Sequence, residues 1–156
     1  MMRRLGSIGL VLLLGVLAFG LGMASASSSL TEPVTFVVIG RYTHDKTTDV
    51  GKKGDSAGDI YTFRDDIYDE TNTTKIGSDQ GMCVRLSPKA GASECWFTTL
   101  LADGQITAQG PFIDDAPVSV YAVTGGTGLY ENAHGTLEER QVDGGAGYEF
   151  TFTLIP

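Results

Sequence analysis

The C-terminal run Tyr148-Glu149-Phe150-Thr151-Phe152-Thr153-Leu154 changes character at every residue. Only an extended strand puts the aromatics of such a run on one face and its polar residues on the other. Near the other end, Val34, Phe36 and Val38 alternate with Thr35 and Val37 in the same way. Six further segments read as strands: 59–64, 81–86, 95–102, 105–112, 118–124 and 135–142. Turn chemistry separates them at Ser87-Pro88, Asp103-Gly104, Asp114-Asp115-Ala116-Pro117 and Gly144-Gly145. No window sustains an amphipathic helical repeat beyond about two turns. Eight short strands at this spacing predict an all-β fold, an antiparallel barrel or a sandwich, and closure into a barrel would remove exposed sheet edges. Segments 43–58 and 69–79 lack the alternation and read as polar loops, the first of them mobile. The glycosylation triplet Asn72-Thr73-Thr74 lies in the second, where polar loops contain such triplets by chance.

The first 26 residues have another character. Met1-Met2-Arg3-Arg4 is a basic start, residues 5–23 form an apolar run, and Ala24-Ser25-Ala26 is a small-x-small cleavage pattern. This predicts a signal peptide over 1–26, a short linker over 27–33 and one domain over 34–156. An uncleaved leader would act as an anchor, but the processed junction fits Ala24-Ser25-Ala26 and the serines after it better. Cleavage after Ala26 leaves 130 of the 156 residues, and losing Arg3 and Arg4 takes the formal charge from −8 to −10. The expected location is extracellular or cell-envelope space. A domain so acidic, with scattered cations, is a poor match for a phosphate backbone, so nucleic acid is not an expected partner. Beyond the leader no apolar run approaches the ~20 residues of a membrane helix, so no stable membrane insertion is expected after cleavage.

Cys83 and Cys95 flank the turn at 87–93. In a hairpin folded about residue 89 they stand opposite each other on one face, and export favours a disulfide between them. Two small buried thiols are the alternative. His44 and His134 are the only histidines, with no metal-ligand spacing, so neither a metal site nor a dedicated cofactor has residue support. There is no G-x-S-x-G elbow and no P-loop lysine. Gly125-Gly126-Thr127-Gly128 follows a strand and precedes no helix, so it reads as a tight backbone bend rather than a phosphate loop. Asp65, Asp66, Asp69 and Glu70 crowd together as a calcium loop, an acid/base pair or a solvated loop edge, of which the last is the ordinary case.

One set of motifs goes beyond pattern. It comprises Ile106-Thr107-Ala108-Gln109-Gly110-Pro111-Phe112, then Ala122-Val123-Thr124-Gly125-Gly126-Thr127-Gly128-Leu129-Tyr130-Glu131, then Ala133-His134-Gly135. In that order they resemble the allene oxide cyclase family, as do Gly58-Asp59-Ile60, Ile67-Tyr68-Asp69 and Gly81-Met82-Cys83-Val84. The Gly-Gly-x-Gly turn, Asp65-Asp66 and Arg140 also resemble plant dirigent proteins. Both families imply an eight-stranded antiparallel closed barrel, lipocalin-like in outline, around an apolar cavity. Aligned with the cyclase first strand, Phe36 and Val38 fall at substrate-facing positions, and Val38 and Gly40 stand where a Glu and an Asn are expected. Asp65 takes the place of a second Asn, Phe112 that of a pocket Tyr, and Cys83 matches a pocket Cys. The polar part of the cyclase site is therefore mostly absent.

The resemblance implies an apolar small-molecule ligand, bound by Phe36, Val38, Cys83 and Phe112, and chemistry by confinement. The reaction would be an isomerisation, a cyclisation or a stereoselective coupling, with Asp65 and Arg140 as candidate catalytic groups. For Arg140 an ion pair with Glu138, Glu139 or a loop Asp is an equally good reading. A non-catalytic barrel that binds a ligand or a protein partner is the alternative function. Plant cyclases of this type are trimers, so the resemblance also implies a homo-oligomer, trimer or dimer.

Overall fold

The computed structural model describes residues 30–142, 144 and 146–156. The expected signal peptide and the first part of the linker, residues 27–29, lie outside them. Eight strands follow one another: β1 (Val34–Thr48), β2 (Ile60–Tyr68), β3 (Lys75–Ser87), β4 (Ala92–Leu101), β5 (Gly104–Ile113), β6 (Ser119–Gly128), β7 (His134–Val142) and β8 (Gly147–Ile155). Each pairs antiparallel with its chain neighbour, and β8 returns to β1, which closes the barrel. A one-turn 3-10 helix at Pro88–Ala90 makes the β3–β4 corner, capped by Ser87 and ended by Gly91 in the left-handed region.

The alternation read from the sequence becomes an inside and an outside. Phe150, Phe152 and Leu154 point inward from β8, as do Leu137 from β7 and Tyr121 and Val123 from β6, and all six are buried. One end of the barrel is solid. Val38, Ile67, Ile106, Leu137, Phe152 and Leu154 fill it, and the 129–133 turn closes it with buried Tyr130 and Ala133. Phe36 stacks there on Phe152, with ring centroids 5.1 Å apart.

The segments expected to be loops are partly strand. β1 continues to Thr48, and β3 starts at Lys75. Hydrophobic alternation fails there because the end of β1 is solvent-exposed and the start of β3 is Lys75-Ile76-Gly77-Ser78-Asp79, with a polar residue, Asp79, at its buried position, so pairing with β2 holds them. The pairing of β1 with β2 slips between Arg41 and His44, a bulge that bends the long strand. Gly125-Gly126-Thr127-Gly128 ends β6, as expected of a backbone bend. A Cβ on Gly126 would lie 2.5 Å from the carbonyl oxygens of both Gln105 and Tyr130, so only glycine lets the closing turn seat there.

Cys83 and Cys95 are register partners on β3 and β4 and form a disulfide. Its sequence separation of 12 gives about 3 kcal/mol of stabilisation on the chain-entropy argument. Replacing both cysteines with alanine is expected to lower the melting temperature by roughly 10 °C in a calorimetric scan. An unchanged melting curve would mean that the bridge adds nothing to the folded barrel.

Candidate functional site

The end of the barrel away from the plug is hollow. A cavity of about 530 Å³ runs between the strands and opens beneath the loop at 49–59. Its walls are aromatic: Phe63 on β2, Phe97 on β4, Phe112 on β5 and Phe150 on β8. Phe97 is the hub of these rings, 6.1 Å from Phe63 and 6.4 Å from Phe150 by centroid, with Tyr121 edge-on to it at 5.0 Å.

Strand parity puts three carboxyls among those rings. Asp65 and Asp79 are register partners on β2 and β3, and Thr99 on β4 is the next partner along. Asp79 is fully buried; Thr99 Oγ1 donates to its Oδ1 at 3.0 Å, while its Oδ2 has no hydrogen-bond partner among the described residues. Burial, together with the neighbouring Asp65 and Glu139 charges, pushes Asp79 up to about 8, against the opposing pull of Thr99. Glu139 enters from β7, accepts a hydrogen bond from the Tyr121 hydroxyl, and is pushed up to about 7, chiefly by burial. Asp65 is raised as well, by burial first, although the Thr43 amide donates to its Oδ1 at 3.1 Å. That amide sits in the β1 bulge, which frees it from the strand ladder.

The mouth is held differently. Asp59 accepts hydrogen bonds from the Val50 and Ser56 amides, both at 2.8 Å, which order the loop at 49–59 and lower the Asp59 pKa. Arg85 bridges Asp55 of that loop at 3.1 Å and Asp114 of the β5–β6 turn at 2.9 Å. Among the described residues it is the one cationic side chain in the cavity lining, and it stands at the rim.

Of the residues singled out in the sequence, Asp65, Cys83 and Phe112 line this cavity, with Cys95 beside its disulfide partner. Phe36 and Val38 face inward but lie deeper, in the solid plug, and do not line it. Arg140 is a correction of position: it stands on the outer face, half-exposed and 2.7 Å from Glu138, because its parity is opposite to that of inward Glu139. The acidic run near Asp65 splits in the same way. Asp66 pairs with Lys75 outside, and Asp69 accepts the Thr73 amide in the turn that follows β2. Among the described residues no group of three or more potential ligands could hold a metal ion, and no helix is long and apolar enough to cross a membrane.

Sequence reading missed Asp79, Glu139 and Tyr121. The signal was available: Asp79 has the parity of Cys83, Glu139 that of Leu137, and Tyr121 that of Val123.

Because Asp79 and Glu139 hold protons in the folded barrel that the unfolded chain would release, the sign of the pH effect is fixed. Their neutral forms favour folding fully below the ordinary carboxyl pKa of about 4. That contribution is lost as pH rises through about 7 and then about 8. The melting temperature is therefore expected to fall by several degrees between pH 5 and pH 9, and Asp79→Asn is expected to flatten the profile. Parallel profiles for the two proteins would show that Asp79 ionises normally.

A closed barrel, plugged at one end and hollow at the other around aromatic rings and carboxyls, defines a class: antiparallel eight-stranded barrels with an internal cavity. The chain belongs to the allene oxide cyclase barrel like domain family, whose model matches residues 40–154. Among solved structures, it is similar to a pyocyanin demethylase at 27% identity, covering 78% of this chain and 100% of that one, with a TM-score of 0.70. The Diels Alderase AbmU from Streptomyces koyangensis is similar in fold at 15% identity, covering 79% of this chain and 63% of that one, TM-score 0.64. A pterocarpan synthase dirigent protein is similar in fold at 17% identity, covering 78% and 81%, TM-score 0.59.

Proposed function

We propose that this is an exported barrel enzyme that takes a flat, largely aromatic small molecule into its open end and isomerises or cyclises it. The observation that carries the reading is the pair Asp79 and Glu139, two carboxyls held up near neutral pH in a cavity walled by phenylalanines. A carboxyl that is neutral at working pH can give a proton to one atom of a substrate, and an ionised neighbour can remove one from another. Such an exchange leaves no net change in oxidation state, as an isomerisation requires. Glu139 is assigned as the proton donor and Asp65 as the acceptor, with Phe112 and the Cys83–Cys95 bridge shaping the walls. The rings hold the substrate in a reactive fold, which lowers the entropic part of the barrier. Export is supported by the leader pattern at 1–26. Homo-oligomerisation, as trimer or dimer, is supported by the family resemblance and is read directly from the mass in light scattering.

The names of the similar structures favour chemistry on small molecules: one is a demethylase, another a Diels Alderase. The test is mass spectrometry of small molecules extracted from protein purified from its native source. A recurrent aromatic metabolite that the protein then converts supports the proposal. The same metabolite recovered unchanged after long incubation would assign a non-catalytic ligand barrel instead.

A further inference from the structure

The cavity is walled by aromatic rings, yet its ionisable groups are one-sided, and this says more about its ligand than its shape does. Asp65 and Asp79 face each other across adjacent strands, and Glu139 reaches the same space from the opposite wall. Their only side-chain hydrogen-bond partners among the described residues are hydroxyls, those of Thr99 and Tyr121. Arg85, the one cation of the lining among the described residues, is engaged at the mouth by Asp55 and Asp114. Among the described residues no positive group meets the carboxyls of the floor.

Asp79 adds an independent sign. Its Oδ2 is fully buried and unpartnered, although the other oxygen is satisfied. Leaving a buried carboxylate oxygen without a donor costs roughly 1–3 kcal/mol, and more where the group is charged, so Oδ2 is placed to accept a ligand's N–H when Asp79 gives up its proton. The faces of Phe63, Phe97 and Phe150 carry the negative side of the ring quadrupole, which also favours a cation.

We infer that the ligand class is a planar aromatic cation bearing an N–H, with that N–H placed on Asp79 Oδ2 and the ring held between the phenylalanines. The inference rests on the proposed small-molecule reading and names its ligand. An anion would meet three carboxyls, and a neutral ring, even one bearing an N–H, would bring no charge to replace the Asp79 proton.

Binding of a cation has a measurable consequence. Without it the like-charged carboxyls of β2, β3 and β7 cannot all ionise, so they hold protons. A bound cation replaces the Asp79 proton, which leaves to solvent, while Glu139 keeps the proton that it donates in the proposed reaction. Affinity therefore rises with pH from 5.5 to 8. The other titratable groups facing the floor are Tyr42 on β1, Tyr61 on β2, Tyr121 on β6 and Tyr148 on β8. All four are raised by burial and stay neutral throughout that range. Arg85 at the rim stays charged.

The experiment titrates the purified protein with three tricyclic probes: proflavine as the cation, acridone as the neutral ring and anthracene carboxylate as the anion. Calorimetry in two buffers of different ionisation enthalpy counts the protons exchanged. Proflavine is expected to bind at least about tenfold more tightly than acridone, with proton release, and the anion not at all. Asp79→Asn is expected to remove about tenfold of the proflavine affinity and to leave acridone unchanged. If that variant fails to fold, Asp65→Asn, which neutralises the facing carboxyl, is expected to reduce proton release and proflavine affinity together. Equal affinity for proflavine and acridone, or proflavine binding without proton release, overturns the cationic class while leaving the small-molecule cavity intact. No binding of any probe overturns both.

Discussion

Phe152→Ala is expected to lower stability by about 3–5 kcal/mol, the largest single-residue effect in this barrel. Phe152 is fully buried on β8, opposite Leu137 in register on β7 and stacked on Phe36 of β1. It sits in the solid end, where strands from opposite sides of the barrel are bridged by side chains rather than by the ladder. Alanine leaves a void that rigid strands cannot collapse to fill, so the lost transfer energy and the cavity term add. For a domain of this size the cost is a large fraction of total stability. Urea unfolding should show the midpoint displaced with the slope preserved. The same substitution at exposed Val120 on β6, 50% accessible, should change stability by less than about 0.5 kcal/mol. A loss below about 1 kcal/mol at Phe152 would mean that the plug does not carry the fold.

Glu139→Gln is expected to reduce turnover of the native ligand by about 10²–10⁴-fold, the range for losing a positioned general acid. The amide keeps the side chain's shape and can still accept the Tyr121 hydroxyl, so ligand binding should change little. The loss should therefore appear in kcat rather than KM. In the wild-type protein, activity that needs Glu139 protonated should decline as pH rises through about 7. The variant's residual activity should lack that limb. Arg140→Gln is the matched control, since Arg140 stands on the outer face beside Glu138, and it should leave turnover within about twofold. A Glu139→Gln protein with full activity would remove Glu139 from the chemistry and return the donor role to Asp65 or Asp79.

The fold was legible because its cause is local. Tyr148 to Leu154 alternates, and alternation at period two has one structural solution. The hairpin across Cys83 and Cys95 was legible for the same reason, since the turn fixes the register. The strand ends at 43–48 and 75–79 were not. They are held by cross-strand backbone pairing, and pairing leaves no trace in the composition of one strand.

The site was half legible. Family resemblance brought forward Asp65, Cys83 and Phe112, which line the cavity. It also brought forward Phe36 and Val38, which have the right parity but the wrong depth. Depth depends on where the 129–133 turn folds back, a tertiary fact that no strand encodes. Asp79 was overlooked because it ends a segment that reads as a polar loop, and Glu139 because beside Glu138 it reads as one of a solvent-facing pair. Parity against Cys83 and Leu137 contradicts that reading, and parity also turns Arg140 outward.

The central claim is that Asp79 and Glu139 are neutral carboxyls facing a ligand cavity. Carbon NMR of labelled carboxyl groups, assigned through Asp79→Asn and Glu139→Gln, tests it most directly. The expected titration midpoints are about 8 for Asp79 and about 7 for Glu139, and a bound aromatic probe should shift both signals while leaving that of outward-facing Glu138 in place. Both carboxyls completing their titration by about pH 5, as ordinary surface acids do, would contradict it.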